Sequence, residues 1–146
     1  MSKVVAMLLL LSCIAVAHGR EVVVGVYQNP PKIAAAADGQ PSGIFGDLLT
    51  EIAARENWQL KAVQCDWSYC LQLLQAGQID LLPDVAYNDE RAQQMDFHAT
   101  PALFSWSQLF TAPGILLHSM EELEGQTVLV LQDSVQQQYL QRQLML

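Results

Sequence analysis

Between Glu21 and Leu82 the chain alternates short β-branched runs with segments of helical period, and that order limits the possible folds more than any single residue does. Glu21 to Tyr27 is a valine-rich run that reads as a strand buried on both faces, broken by Asn29-Pro30-Pro31. Asp38-Gly39-Gln40-Pro41 has turn chemistry. Beyond Gly43, the residues Ile44, Leu48, Leu49, Ile52 and Ala53 recur at helical spacing on one face, and the helix they predict ends near Asn57. Gln59 to Gln64 predicts a second strand. Ser68 to Gln75 predicts a second helix carrying Leu71 and Leu74, stopped by Gly77, and Ile79 to Leu82 a short buried third strand. The order strand, helix, strand, helix, strand implies right-handed crossovers and a parallel sheet, so the expected class is α/β.

The pattern then changes. Met95 to His98 and Leu103 to Thr111 read as extended segments with no strong helix between them, and Pro113-Gly114 breaks the second. Ser119 to Glu122 fits a helical first turn ended by Gly125, and Thr127 to Leu131 reads as another buried strand. Asp133 or Ser134 caps a last helix bearing Tyr139, Leu140 and Leu144. One strand and one helix cannot bury their own apolar faces, so this second unit is expected to be cut short or to be completed by another chain.

The N-terminus carries Lys3, an apolar run from Val4 to Ala17, and small residues at Ala15-Val16-Ala17 and Ala17-His18-Gly19, which together read as a secretory signal peptide over residues 1–19. The run is shorter than the roughly 18 to 20 residues of a membrane span, and Leu10-Leu11-Ser12-Cys13 only faintly resembles a lipoprotein box. Loss of Lys3 takes the formal charge from -8 to -9. No basic cluster is left, so nucleic acid and anionic membrane surfaces are not expected partners.

Cys65 and Cys70 are the cysteines outside the signal segment. Export puts them in an oxidising space, where a disulfide is the default and a metal pair the rival reading; no His or further Cys lies nearby in sequence to complete a tetrahedral site. His98 and His118 read as surface or packing histidines.

Asp80 to Arg91 places one cation and several hydrogen-bonding groups just past the third predicted strand, where open α/β sheets hold ligands. Pro83 ends the strand, and Asn88 can cap a short helix with Asp89 and Glu90 in its first turn. A fixed Arg91 beside Tyr87 and Asp84 suits a carboxylate or a zwitterion. The alternative is a solvated turn in which Arg91 pairs with Asp89 or a neighbour.

Several segments, in this order and spacing, resemble the bacterial extracellular solute-binding proteins of family 3. They are Val26-Tyr27-Gln28-Asn29-Pro30-Pro31, Gly43-Ile-Phe-Gly-Asp-Leu-Leu49, Trp67, Gly77-Gln-Ile-Asp80, Asn88-Asp-Glu-Arg91, Met95-Asp-Phe-His98 and Leu123 to Ser134. The resemblance implies a type 2 periplasmic-binding-protein-like fold, with a complete first lobe of parallel-rich sheet flanked by helices over 20–110. It implies a hinge exit and a second lobe only begun over 111–146. Pro83-Asp-Val-Ala-Tyr87, Ser105-Trp-Ser-Gln108 and Ser134-Val-Gln-Gln137 look like the variant that serves as the periplasmic sensor of membrane histidine kinases and diguanylate cyclases.

The resemblance further implies a small polar ligand, amino-acid-like or a small carboxylate, with no cofactor. A dehydratase-like enzyme on a related fold is the alternative of another class; against it, the cleft candidates show no nucleophile beside a base and no paired carboxylates. The partner it implies is a membrane signalling module, or else the permease of an ABC transporter. Arg91 matches the arginine that grips the ligand carboxylate, a task suited to a planar bidentate donor. Tyr27 and Trp67 match aromatic walls, and Ser134 a hydroxyl at a helix N-terminus. Asp84 and Tyr87 match the cleft loop, and Gln136, within Ser134-Val-Gln-Gln137, is a further candidate ligand contact. Where Asp84 stands relatives carry small residues, so it either selects a ligand amine or pairs with Arg91. Asp133 replaces a usual glycine, and Ala102 a usual aromatic.

Overall fold

The computed structural model of the protein describes residues 19–144. The signal-peptide reading, with Cys13, therefore falls almost wholly outside the described residues. Strand β1 (Arg20–Val26) is followed by a two-residue hairpin of β2 (Ala34–Ala35) and β3 (Pro41–Ser42), then α1 (Ile44–Glu56), β4 (Trp58–Gln64) and α2 (Trp67–Gln75). β1 and β4 pair in parallel from Arg20 opposite Trp58 to Val26 opposite Gln64, as a strand-helix-strand unit requires. No helix among the described residues is long and apolar enough to cross a membrane.

The valines explain why β1 is central. Val22, Val24 and Val26 are at most 2% exposed and meet Ile33, Leu49, Trp67, Cys70 and Leu71 in one core. α1 buries Leu49 and Ala53, whereas Ile44 and Leu48 of the same predicted face are exposed. Asn57 closes α1 in a left-handed conformation (φ 52°), its N–H donating to Ala53 O. α2 starts at Trp67 and buries Leu71 and Leu73 rather than Leu74.

Ile79 to Leu82 is not a strand. It approaches β1 on the edge opposite β4 and makes a single parallel bridge, Val24 to Leu81, with Gly25 N donating to Leu81 O at 2.9 Å. The ladder stops there for two reasons. The Asp80 carboxylate takes the Val23 N–H at 2.7 Å, and Pro83 has no N–H to offer. Gly25 makes the approach possible, since a Cβ there would lie 2.6 Å from the Ile79 side chain.

Met95 to His98 and Leu103 to Thr111 enter no ladder. The turn expected at Ser119 to Glu122 is a 3-10 turn at Glu121–Leu123, left at Gly125 with φ 75°. Thr127 to Leu131 is also not a buried strand: Leu129 is 97% and Leu131 58% exposed. The last helix, α3 (Val135–Leu144), is capped by Ser134, whose Oγ accepts the Gln137 N–H at 3.1 Å.

Candidate functional site

The loop after Leu82 is built around Asn88 and Arg91. Asn88 Oδ1 accepts the Arg91 N–H at 2.8 Å and its carbonyl accepts Ala92 N–H at 3.0 Å, which winds Arg91–Gln93 into a 3-10 turn instead of the expected short α-helix. That turn points the Arg91 side chain inward, where the residue is 5% exposed. Nη1 donates to Ala86 O at 2.9 Å, Nη2 donates to Asp133 O at 2.7 Å, and the guanidinium carbon lies 5.4 Å from the centre of the Trp67 ring.

Among the described residues Arg91 has no carboxylate within ion-pair distance. The ion pairs among the described residues are Lys32–Asp84, Arg55–Glu51 and Lys61–Glu21. Asp89, offered by the sequence as a partner for Arg91, instead accepts from the Tyr87 hydroxyl at 3.2 Å. Carbonyl oxygens take only two of the guanidinium N–H groups, so most of its donors lack a protein partner among the described residues. Burial lowers the Arg91 pKa, against the opposing charges of Glu90, Tyr27 and Asp133, yet guanidinium stays protonated in any ordinary buffer. A buried, permanent cation with no carboxylate in hydrogen-bond contact among the described residues has the chemistry to accept an anion.

Two aromatic rings complete this wall. Tyr27, at the end of β1, meets Trp67, at the start of α2, edge to face with centroids 5.0 Å apart. Trp67 is fixed from behind, because it lies inside the loop closed by the Cys65–Cys70 disulfide. The indole N–H of Trp67 is buried with no hydrogen-bond partner among the described residues.

Asp84 does not pair with Arg91, contrary to one of the two roles its sequence position suggested. Its carboxylate pairs with Lys32 at 3.0 Å and accepts Asn29 Nδ2 at 2.7 Å and the Tyr27 hydroxyl at 3.1 Å. Burial first, and then the Asp84 charge and hydrogen bond, push the Tyr27 pKa well above its ordinary value. Lys32 and Asn29 were missed as site residues. The only hint was a lone lysine directly after the Asn29-Pro30-Pro31 turn.

The start of α3 faces this wall. Besides the Arg91 bond to Asp133 O, Asn88 Nδ2 donates to Gln138 Oε1 at 2.8 Å, which brings Ser134 beside the cleft at 5% exposure. One Ser134 Oγ lone pair is committed to its cap, and the O–H remains available as a donor. Gln136 is exposed and donates to Ser107 Oγ at 3.0 Å. Tyr87, 64% exposed, packs edge-on against Phe97 at the rim. An open groove of about 2350 Å³ runs past Tyr27, Trp67, Asp84, Arg91, Ser134 and Gln136. A smaller polar recess of about 280 Å³ lies on the other side of Arg91, among Ser68, Gln72, Glu90, Gln94 and Asp133. All seven sequence-predicted positions thus line one groove, with Trp67 in contact with both Tyr27 and Arg91.

The profile of the bacterial extracellular solute-binding proteins, family 3, matches residues 22–114. The chain belongs to this family. Its fold is therefore periplasmic-binding-protein-like, with a parallel sheet and flanking helices. Two solved structures are similar. One is a histidine kinase sensor domain with similarity to periplasmic binding proteins, at 28% identity over 55% of this chain and 36% of that chain, TM-score 0.49. The other is a point mutant of the arginine-bound form of domain 1 from TmArgBP, at 28% identity over 50% of this chain and 58% of that chain, TM-score 0.45. The chain thus spans little more than a third of the first and under three fifths of the second. No curated protein sequence matches it.

Proposed function

We propose that this solute-binding chain supplies the Arg91 wall of an extracytoplasmic cleft that binds a small, carboxylate-bearing polar ligand, and that it serves as the sensor input of a membrane signalling protein. The observation that carries the ligand class is the buried Arg91 guanidinium, stacked on Trp67, open to the groove and without a carboxylate of its own. A ligand carboxylate supplies the missing counterion and accepts in the plane of the fork. It exchanges with the Asp133 carbonyl, a neutral and weaker acceptor, on Nη2. Ligand binding between this wall and the start of α3 biases an open-to-closed equilibrium that a partner in the membrane reads.

The sensor role is supported by the likeness of Pro83 to Tyr87, Ser105 to Gln108 and Ser134 to Gln137 to sensor sequences. The other reading within the family is a free receptor that delivers its ligand to an ABC permease. Fusion of this domain to a membrane span and a kinase or cyclase module separates the two.

The test is a thermal-shift screen of amino acids, polyamines and small carboxylates, followed by calorimetry on the best hit, since a ligand that binds only the folded form raises the melting temperature. Replacing Arg91 with alanine removes the partner of a desolvated carboxylate and is expected to weaken binding by about 2 to 5 kcal/mol. Binding by Arg91→Ala as tight as that of the unaltered protein refutes the assignment. Affinity of this chain alone is expected to be weak, because the groove is open to solvent.

A further inference from the structure

Asp84 is the acidic side chain hydrogen-bonded to Tyr27 of the Tyr27–Trp67–Arg91 wall, and both of its carboxylate oxygens are already engaged. Oδ1 contacts Lys32 Nζ at 3.0 Å; Oδ2 contacts Lys32 Nζ at 3.1 Å, Asn29 Nδ2 at 2.7 Å and Tyr27 Oη at 3.1 Å. Its carbonyl also accepts from the Tyr27 hydroxyl, at 3.2 Å. The carboxylate side chain is 11% exposed while the Lys32 side chain is 30% exposed, so the lysine covers it from the solvent side. The backbone at Asp84 is left-handed (φ 58°), a conformation that costs a residue with a Cβ and that these contacts offset.

These contacts tie the loop after β1 to the loop after Leu82, residues that are 52 to 57 apart in sequence. The consequence reaches the ligand wall through one ring. Asp84 holds the Tyr27 hydroxyl, Tyr27 fixes its ring edge-on to Trp67, and Trp67 carries the Arg91 guanidinium on its face. We infer that Asp84 is a positioning residue: with Lys32 as a built-in counterion it sets the Tyr27–Trp67–Arg91 stack, and it does not receive a ligand ammonium. This rests on the carboxylate reading of Arg91 only for its functional meaning. Lys32 and Asp84 cancel in charge, so the pair adds no net charge beside Arg91 and leaves no ammonium grip at Asp84. An amine on the ligand, where there is one, is served by another part of the cleft.

The test uses this chain with the Trp67 indole ¹H–¹⁵N resonance, assigned through Trp67→Phe, and near-ultraviolet circular dichroism as readouts of the stack. Asp84→Ala is expected to move the Trp67 resonance and remove the Tyr–Trp dichroic band; an unchanged resonance and band overturn the inference. If Asp84→Ala does not fold, a charge-balanced pair decides. Asp84→Asn with Lys32→Met together is expected to return the Trp67 resonance closer to the unaltered position than either change alone. A double variant no closer than Asp84→Asn overturns the counterion role. Methylammonium chloride, titrated against a potassium chloride control, is expected to shift the Trp67 resonance no more than the salt does. A saturable shift that Asp84→Asn abolishes means that Asp84 does receive an ammonium, and overturns the inference. None of these outcomes depends on Arg91→Ala, whose effect on carboxylate binding tests the separate reading of the site.

Discussion

Breaking the Cys65–Cys70 disulfide is expected to destabilise the domain by about 2 kcal/mol and to loosen the ligand wall at the same time. The bridge closes a loop with a sequence separation of 5. In the chain-entropy account such a loop removes about 7 cal/mol/K from the unfolded ensemble, which is about 2 kcal/mol near room temperature. For a domain of this size that corresponds to a fall in melting temperature of about 6 to 12 °C. The assay compares melting of protein beginning at Arg20, oxidised and then reduced, so that side-chain volume is the same in both arms. Cys65→Ala/Cys70→Ala serves as a control; because Cys70 is fully buried in the core, its extra loss reports packing rather than loop closure. Trp67 lies inside the closed loop, so its emission should change on reduction before global unfolding begins. Two reactive thiols in the native, unreduced protein, or equal melting with and without reductant, would refute the reasoning.

Two other perturbations test the neighbourhood of the site. Tyr27 has an ordinary pKa of 10.0 raised by burial and then by Asp84, so its neutral form is favoured by folding. Its contribution to stability is fully present below that ordinary value and is lost as pH rises through the higher folded one. Phenolate absorbance, with Tyr27→Phe as the subtraction, should show it ionising after the other tyrosines. Asp84→Asn should bring it part of the way back, since burial remains; an unmoved titration argues against the Asp84 contact. Ser134→Ala removes the Oγ that accepts the Gln137 N–H at the start of α3 and is expected to cost about 1 kcal/mol. The readout is faster amide hydrogen exchange in Val135–Leu144, and unchanged exchange there would show that the cap contributes nothing.

The first lobe was legible where one residue type served both local and global demands. The β1 valines favour an extended backbone and also fill a two-sided core, and Asn57 tolerates the left-handed turn at the very point where the apolar period of α1 stops. Arg91, Tyr27 and Trp67 were legible as a set, because strand ends and helix starts of a parallel sheet lie along one edge. The partners of Arg91 were not: Ala86 O and Asp133 O are backbone groups that any residue carries. Asp84 was read with two possible partners and has a third, Lys32, because the turn at Asn29-Pro30-Pro31 folds the chain back in a way that spacing alone does not encode.

The segment after Gln94 shows where reading by pattern fails in physical terms. Thr127 to Leu131 has the composition of a buried strand, as does Leu103 to Thr111, yet Phe104, Trp106 and Phe110 are each more than 80% exposed and Leu129 is 97% exposed. What they lack is a partner strand: neither segment enters a ladder among the described residues. β1 is occupied by β4 on one side and by Leu81 and the Asp80 carboxylate on the other, and the outer edge of β4 receives neither segment. A helix such as α3 satisfies its own N–H and C=O groups, so ten residues with a Ser134 cap suffice to fold it. A strand satisfies its groups only against a second strand, and its side chains are buried only when both are covered. The same Thr-Val-Leu-Val-Leu run of 127–131 therefore becomes a ladder when a partner strand is docked beside it and an open segment when none is, a difference that lies outside the five residues themselves.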